Sequence, residues 1–493
     1  MIRLVLAAAM PMLGLGACTM LGPDYRRAEL ELPAGYTAEA AATAAGAGGA
    51  SGQAAASAEA QRVPADWWTL YGDAELNRLV EAARQRNADV AIALAQLQEA
   101  EAVLREARAL LFPAIDLNGY GTRSQVTTLG AQPLPPSVPA LRNDFRLTAS
   151  TAYEIDFWGR VRRAGEAAEA QLLASAYTRD VVELSVAGAT AQTYFLLRSL
   201  DAQVAVTRQS LALREETLQL VRSRARGGIA SDFDLAQSES ARADAAAQLS
   251  ELQRQRGLVE RQLGFLTGQP GLTLAAGDLR ALPIPPTPPA GLPSSLLDRR
   301  PDVRAAEEAL VAANARIGIA RAAMMPTISL TGLYGGQSAD LSDLLASGAR
   351  IWSLGLAVNL PIFDAGRLAA RVEQVEARQR AALAAWRRAA ESAFRETAES
   401  LANVDLSVAT EAELRAAVEA SRRAASLARK RYEAGYSAYL EVLDAQRTQN
   451  VNDLAFIRTR QARLAYSVDL MKALGGGWPA PERNGERSAS SSR

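Results

Sequence analysis

The sequence of this 493-residue chain repeats itself. Residues 89–119 and 302–332 align without a gap, and each begins with Asp-Val and ends in a Pro-x-Ile-x-Leu-x-Gly segment. The correspondence continues through RARGGIAS at 224–231 and RYEAGYSA at 431–438. Two tandem copies of one unit explain the length better than two unrelated domains do. We therefore divide the chain into a first repeat, a Pro-rich connecting segment and a second repeat: 63–267, 268–293 and 294–475.

Each repeat contains a long run without proline that keeps a helical pattern, from 159 to 221 and from 366 to 430. At 1.5 Å per residue, each run would be about 95 Å long. Patterns of this length are typical of coiled coils and helical repeats. In the last helix, apolar residues follow a three-four spacing with Gln461 at one seam position, which predicts coiled-coil packing. The seam residues are Leu454, Ile457, Leu464, Val468 and Met471.

Each repeat also has two segments in which apolar and polar residues alternate. They lie near 113–123 and 145–157 in the first repeat, and near 326–334 and 351–362 in the second. Alternation over about ten residues, with an aromatic residue near one end, is typical of a transmembrane β-strand, although a half-buried soluble sheet gives the same pattern. Four strands do not close a barrel, and open sheet edges are not tolerated in lipid. A membrane location therefore requires several chains to share one barrel.

The composition argues against an enzyme. The chain has no histidine and one cysteine, which removes Ser-His-Asp and Cys-His catalytic groups, histidine-based zinc sites and intramolecular disulfides. Lys+Arg and Asp+Glu both number 54, so no net basic charge is present to bind nucleic acid. We expect no catalytic residues, no metal and no cofactor apart from a covalent lipid.

The N-terminus has the pattern of a signal peptide. Arg3 precedes an apolar stretch that is too short to span a bilayer, and small residues then lead to Cys18, the single cysteine. The sequence Leu-Gly-Ala-Cys resembles the bacterial lipobox, which predicts cleavage after residue 17 and lipidation of Cys18; an ordinary secretory signal with a chance cysteine is the alternative. We expect a signal peptide at 1–17, a lipidated N-terminus with a flexible tether at 18–62, and a disordered tail at 476–493.

Four segments together carry a family resemblance: CTMLGPDYRR, DWWTLYGDAELNRLV, RRPDVRAAE and YEAGYSAYLEVLDAQRTQ. They resemble the outer membrane factor (TolC-like) family, and more narrowly its lipoprotein branch of OprM- and NodT-type efflux proteins. The resemblance covers 18–474. It implies a mainly α fold with a β-barrel part. In that fold, three chains would share a 12-stranded outer-membrane barrel, four strands from each, continued by a coiled-coil tunnel reaching about 100 Å into the periplasm of a Gram-negative bacterium.

The same resemblance implies a passive exit duct of a tripartite efflux system. Its partners would be a periplasmic membrane-fusion adaptor, an inner-membrane pump commonly of the RND type, and the lipid of the outer membrane. Two alternatives stay open. The chain could be a structural coiled-coil lipoprotein of the periplasm with a soluble sheet, or the duct of a type I secretion or metal-export system.

The two helix–turn–helix tips hold the candidate contact residues. Each places a glycine where a long helix must end and reverse direction, a C-cap role that glycine fills at low cost. In the family, these tips close the tunnel and meet the adaptor. The resemblance therefore assigns adaptor contact to Arg224, Gly228, Ser231, Arg431 and Gly435. In the second tip Ala438 replaces the hydroxyl of Ser231, so the resemblance leaves that contact open there.

The candidate gate lies next to the second tip. Glu441 and Asp444 are three residues apart on one helix face, so a trimer would stack two carboxylate rings that favour cations. The resemblance makes both acids pore-constricting residues and makes Tyr432 a lock of the closed tip. Simpler interpretations are the helix dipole for Glu441, a solvated surface for Asp444, interhelical packing for Tyr432, and a capping box that joins Ser231 to Asp234.

Overall fold

The computed structural model describes residues 20–30, 33, 36, 63–127, 129, 135, 138–287 and 298–477. The predicted signal peptide, Cys18, the tether at 37–62 and the tail from 478 onward lie outside the described residues. Within the described part of the chain, no helix has both the length and the apolar character needed to cross a membrane.

The described chain is mainly helical and contains one small sheet. Its elements are α1 (Ala74–Arg86), α2 (Ala88–Ala109), β1 (Asp116–Gln125), β2 (Leu141–Glu154), α3 (Arg160–Arg226), α4 (Asp232–Leu266), α5 (Pro301–Ala322), β3 (Thr327–Ser338), β4 (Arg350–Asn359), α6 (Arg367–Glu433) and α7 (Tyr439–Ala473). The helix lengths correspond between the halves. Helices α2 and α5 have 22 residues, α3 and α6 have 67, and α4 and α7 have 35.

Strands β2 and β4 end earlier than the sequence pattern predicts. The alternation suggested ends at 157 and 362, whereas the strands stop at Glu154 and Asn359. The residues that follow each strand form hydrogen bonds at the start of the next helix instead. The Asp156 carboxylate accepts hydrogen bonds from the backbone N–H groups of Val161 and Arg162 in the first turn of α3. The Asp364 carboxylate accepts from Gly366, just before α6, and from Leu368 in its first turn. Pro361, which cannot donate to a ladder, also lies just beyond β4.

The chain divides into two compact units. Among the described residues, unit 1 takes in 20–29, 97–175 and 306–386. It holds the whole sheet, an antiparallel meander in the order β1-β2-β3-β4. Strands β1 and β4 are its two edges, so each presents a row of backbone groups without a ladder partner in this chain.

The strand register sorts the side chains of the sheet by polarity. Leu117 pairs with Ala149, Ala149 pairs with Tyr334, and Tyr334 pairs with Trp352. One face is therefore apolar, and nothing in the described chain covers it, since Trp352 is 73% exposed. The opposite face is polar and cross-linked by hydrogen bonds, for example from Tyr120 and Gln337 to Asp144. The members of the apolar face include Leu117, Leu147, Leu330, Tyr334, Trp352, Leu354, Leu356 and Val358.

An N-terminal strap, residues 20–27, lies across α3 and α5 in unit 1. The strap crosses α5 at Gly318, where a Cβ atom would lie only 2.5 Å from the Leu21 carbonyl oxygen. Arg163 of α3 has a side chain 3% exposed, and it donates to Leu21 O and to the Asp24 carboxylate. The segment that follows the predicted lipidation site is therefore attached to the folded body by backbone contact and a buried charge.

Unit 2 contains the larger apolar core. Among the described residues it takes in 30, 33, 36, 63–96, 176–305 and 387–477 with their gaps. Aromatic side chains from the start of this unit and from α3 form its centre: Trp67, Trp68, Tyr71, Tyr194 and Phe195. The predicted seam of α7 is buried, which confirms the three-four spacing: Leu454, Ile457, Leu464, Val468 and Met471.

One buried carboxylate in unit 2 is surrounded by arginines. The Glu411 side chain of α6 is 2% exposed. Arg460 and Arg463 of α7 reach its two oxygens at 3.0 and 2.8 Å, and Arg415 lies at 3.2 Å. Burial by itself raises the pKa of Glu411, but the ion pairs with Arg463 and Arg460 outweigh it, so the pKa lies below its ordinary value. Glu411 therefore stays ionised, and its ion pairs with Arg460 and Arg463 hold α6 against α7.

Candidate gate at the helical hairpin tips

The first tip, residues 224–234, joins α3 to α4 in unit 2. Helix α3 ends because Gly228 takes a left-handed conformation with φ of +71°. The Gly228 N–H donates to Ala225 O at 3.0 Å, and the Ile229 N–H donates to Arg224 O at 2.9 Å. These two bonds satisfy carbonyl groups that the helix end would otherwise leave without partners.

Helix α4 then begins with a complete capping box. The Ser231 hydroxyl accepts from the Asp234 N–H at 3.1 Å, and the Asp234 carboxylate accepts from the Ser231 N–H at 3.2 Å. The hydroxyl proton of Ser231 also points to Asp234, at 2.8 Å. The predicted capping box is therefore confirmed. Adaptor contact by Ser231 stays a prediction, and it would have to share a hydroxyl already used at the helix start.

The second tip, residues 431–444, joins α6 to α7 and reverses the chain in the same way. Gly435 has φ of +81°, and the Tyr436 N–H donates to Arg431 O at 2.8 Å. A Cβ at Gly435 or at Gly228 would meet no other atom within 4 Å. Both glycines are thus needed for their backbone conformation and not for space. Ala438 occupies the N-cap of α7 without a side-chain cap.

Arg224 connects the two tips. Its guanidinium group donates to the carbonyl oxygens of Tyr432 and Glu433, both at 3.1 Å. It also lies 4.3 Å from the centroid of the Tyr432 ring. The last carbonyls of α6 are thus capped by a cation from the other hairpin, which also favours the negative end of the helix dipole. Within this chain Arg224 lies half-buried between the hairpins. Its contact with an adaptor, which the family resemblance implies, stays a prediction.

Tyr432 belongs to a small apolar cluster beneath the tips. Its side chain is 6% exposed, and its ring lies 5.9 Å from that of Tyr439. Val221 and Val442 complete the contact, so three of the long helices meet at this point. Burial raises the pKa of Tyr439 above its ordinary value, which keeps the phenol neutral. Interhelical packing of Tyr432 is therefore confirmed, and its role as a lock of the closed tip stays a prediction.

Both candidate gate acids are exposed and paired with arginines. Arg431 Nε lies 3.3 Å from Glu441 Oε1, and Arg447 Nη2 lies 3.0 Å from Asp444 Oδ1. Asp444 is 64% exposed at its side chain. Exposed ion pairs of this kind contribute about 0 to 1 kcal/mol, so they exchange partners at little cost. Each of the two acids is therefore held by a weak, exposed ion pair.

The two tips use the same sequence position differently. Arg224 and Arg431 occupy corresponding positions in the repeat, yet Arg224 binds backbone carbonyls of the other hairpin while Arg431 faces Glu441 of its own. Sequence comparison between the repeats could not separate these roles. The difference arises because only one arginine lies against the end of the opposing helix.

Sequence reasoning missed an apolar feature of the tips. Ile229 and Tyr436, each directly after its glycine, are 80% and 79% exposed. Phe233 and Leu440, five residues after the same glycines, are 68% and 59% exposed. The signal was available in the sequence, since large apolar residues recur at equal distances from the two turn glycines.

Comparison with known proteins places the chain in a family. A family model described as "Outer membrane efflux protein" matches residues 79–269 and 292–476. The outer membrane protein OprJ of Pseudomonas aeruginosa is 35% identical over 479 residues, covering 94% of each chain. The toluene efflux pump outer membrane protein TtgC of Pseudomonas putida is 32% identical over 483 residues, covering 97% of this chain and 96% of TtgC.

A solved structure has the same fold. The open state of the MtrE outer membrane channel of Neisseria gonorrhoeae superimposes with a TM-score of 0.80 at 29% identity, covering 93% of this chain and 98% of that one. The family match takes in most of both repeats, and the structural match extends over nearly the whole chain. The chain belongs to the outer membrane efflux protein family.

Proposed function

We propose that three copies of this chain form the exit duct of a tripartite efflux system. The four strands of each copy would close a shared 12-stranded barrel in the outer membrane, and the long helices would continue it as a tunnel through the periplasm. The two halves of the chain are, in this proposal, tandem structural repeats. The duct is passive, and a periplasmic adaptor and an inner-membrane pump, of the RND type, deliver its cargo.

One observation supports this proposal above the others. The sheet has two open edges and an uncovered apolar face; open edges are not tolerated in lipid, and an uncovered apolar face is not tolerated in water. Strands β1 and β4 run in opposite directions along the meander, so β4 of one chain can pair with β1 of the next as an antiparallel ladder. That pairing gives the backbone groups of both edges hydrogen-bond partners. The apolar face then meets lipid.

The tips would form the periplasmic end of the duct. In a trimer, Glu441 and Asp444 would supply two rings of carboxylates at the constriction, held by Arg431 and Arg447. The adaptor would meet the turn residues Arg224, Gly228, Ser231, Arg431 and Gly435. Arg224 contributes indirectly in this proposal, by fixing the relative position of the two turns.

Membrane extraction separates this proposal from a tethered periplasmic lipoprotein. The Cys18→Ser variant removes the proposed lipid. A true barrel should still require detergent for extraction and run as a trimer by native mass spectrometry, with the unmodified chain as control. Release of a soluble monomer into the periplasmic fraction would contradict the duct and favour a soluble sheet.

Deletion of the gene tests the biological role. Loss of the duct should sensitise cells to toxic compounds that the partner pump handles, and the full-length chain should restore resistance. Unchanged export in a strain with no redundant duct would refute the assignment. Co-purification of the adaptor and the pump distinguishes drug efflux from type I secretion or metal export.

Single-channel recording tests the gate. Asp444→Asn removes one ring of three charges, so the preference for cations should fall, while the exposed acid Asp232 at the start of α4 provides a matched control as Asp232→Asn. Equal selectivity and conductance in the Asp444→Asn channel and the unmodified channel would exclude Asp444 from the constriction.

A further inference from the structure

The apolar face of the sheet carries only two charged residues within the four described strands. They are Arg123 of β1 and Arg350 of β4. The strand register places both on the same face as Leu117 and Trp352, since each lies an even number of residues from one of them. Both side chains are exposed, and neither makes an ion pair with any residue that the structure describes.

The acidic residues of the strands lie on the opposite face of the sheet. Asp116, Asp144 and Glu154, the three acidic residues of the strands, all lie on the polar face with Arg142 and Arg146. Asp144 is held there by hydrogen bonds from Tyr120 and Gln337. Within the four strands, the charge on the apolar face is therefore exclusively positive.

Both arginines lie at the same end of the sheet. Arg123 is two residues from the end of β1, and Arg350 is the first residue of β4. These ends lead into the hairpin connections, while the opposite ends of the strands lead into the long helices. In an outer membrane channel whose helices are periplasmic, the hairpin end faces the cell exterior, so both arginines face the outer leaflet.

The neighbours of Arg350 suit a membrane interface. Trp352 lies two residues along the same face, and the pairing partner of Trp352 is Tyr334. Aromatic rings gather at the boundary between lipid tails and headgroups in membrane barrels. Arg350 lies beyond this ring pair, toward the hairpin end, at the depth where a long cationic side chain reaches the headgroup region.

The β3–β4 connection adds a second, independent sign of contact with lipid. It folds back onto the end of β3 at Gly336, where a Cβ atom would lie 2.1 Å from Leu344 O. Leu341 and Leu345 of this connection are 65% and 87% exposed. Exposed leucines beside an apolar strand surface fit insertion between lipid chains. The β3–β4 connection also carries two acids, Asp340 and Asp343, whereas the β1–β2 connection at 126–140 contains no charged residue in its sequence.

Closure of the trimer would bring the two arginines together. Because β1 and β4 are the edge strands, β4 of one chain would lie beside β1 of the next, with Arg350 and Arg123 on the same face and at the same rim. This step rests on the proposed function. We propose that Arg123 and Arg350 bind the phosphate groups of an outer-leaflet glycolipid at each junction between chains, since arginine donates paired hydrogen bonds to phosphate.

Lipid binding to the purified full-length trimer tests the site. The probes are bis-phosphorylated lipid A and the same lipid with its phosphates removed, each added in detergent micelles and counted by native mass spectrometry. We expect the unmodified trimer to bind the phosphorylated probe about tenfold more tightly, as one or two charge-assisted contacts would give. The double variant R123Q/R350Q should lose that preference, and R123K/R350K should keep most of it.

Arg142 provides the matched control, since it lies at the same end of the sheet on the opposite face. R142Q should bind like the unmodified chain. The site is refuted if the unmodified trimer shows no phosphate preference, if R123Q/R350Q keeps it, or if R142Q loses it equally. The same spectra report the mass of the assembly. A trimer without phosphate preference would refute the site and leave the proposed assembly standing, whereas monomers that still prefer the phosphorylated probe would refute both the trimer and the placement of the site at a junction between chains.

Discussion

Replacing Arg224 with methionine should loosen the contact between the two tips. Methionine keeps most of the apolar stem while removing the guanidinium group, so the variant isolates the polar contacts. These are the hydrogen bonds to the carbonyls of Tyr432 and Glu433, both at 3.1 Å, and the stacking on the Tyr432 ring at 4.3 Å.

The expected loss follows from these contacts. A hydrogen bond with a charged donor contributes about 1.5 to 3 kcal/mol when buried, and we take about 1 kcal/mol for each bond here because Arg224 is only half-buried. A partly exposed cation–π contact adds about 0.5 kcal/mol. Water replaces part of these contacts in the variant, so we expect the free energy of separating the tips to fall by about 2 kcal/mol. This corresponds to about a 30-fold change in the equilibrium constant for separation.

Amide hydrogen exchange reports the opening of the two turns that the Arg224 contacts restrain. The amides of Ile229 and Tyr436 are bonded in the two turns, so their exchange in Arg224→Met should accelerate by about 30-fold if the turns open locally. Arg222→Met is the matched control, because Arg222 of the same helix makes an exposed ion pair with Glu239 at 2.9 Å. Its effect should stay within about threefold.

Equal exchange in the two variants would refute this reasoning. It would mean that the Arg224 contacts are replaced by water without cost, and that the apolar cluster around Tyr432 alone holds the hairpins together. In channel recordings, Arg224→Met should also lengthen the open state, whereas Arg222→Met should not.

Three further changes test other parts of the structure. Ion pairing lowers the pKa of Glu411 in the folded chain, so the ionised carboxylate stabilises the fold above the unfolded pKa of about 4.3 and this contribution is lost as the pH falls through the folded pKa. The difference in unfolding free energy between the unmodified chain and Glu411→Gln should therefore shrink below about pH 4. A difference that stays constant with pH would contradict the ion pairs. Gly318→Ala should displace the N-terminal strap and speed trypsin cleavage within it, whereas Gly165→Ala, where a Cβ meets no atom within 4 Å, should not. Gly435→Ala should cost about 1 kcal/mol in thermal unfolding through backbone strain alone, and a loss several times larger would reveal a contact at the tip.

Much of the fold could be predicted from sequence because its elements are defined by local, periodic signals. The proline-free runs predicted helices from 159 and 366, and the structure begins them at Arg160 and Arg367. The turn glycines marked both reversals, because a left-handed backbone conformation at a helix end favours glycine wherever the chain goes next. Strand ends were less accurate, because Asp156 and Asp364 serve the following helices instead of the sheet.

The partners of the candidate site residues could not be predicted in this way. Arg224 meets Tyr432 across 208 residues of sequence. No periodicity encodes such pairs, since they depend on how two separately formed hairpins pack.

The sequence by itself determined the long helices, the alternating strands and the turns, because each depends on neighbouring residues in the chain. Tertiary structure alone decided that Arg224 caps the opposing helix, that Arg431 of α6 faces Glu441 of α7, and that Arg123 and Arg350 lie on the two edge strands of one sheet. The physical reason is that ion pairing and burial depend on distances between residues that are far apart in sequence. Similar motifs in the two halves of the chain therefore have different neighbours.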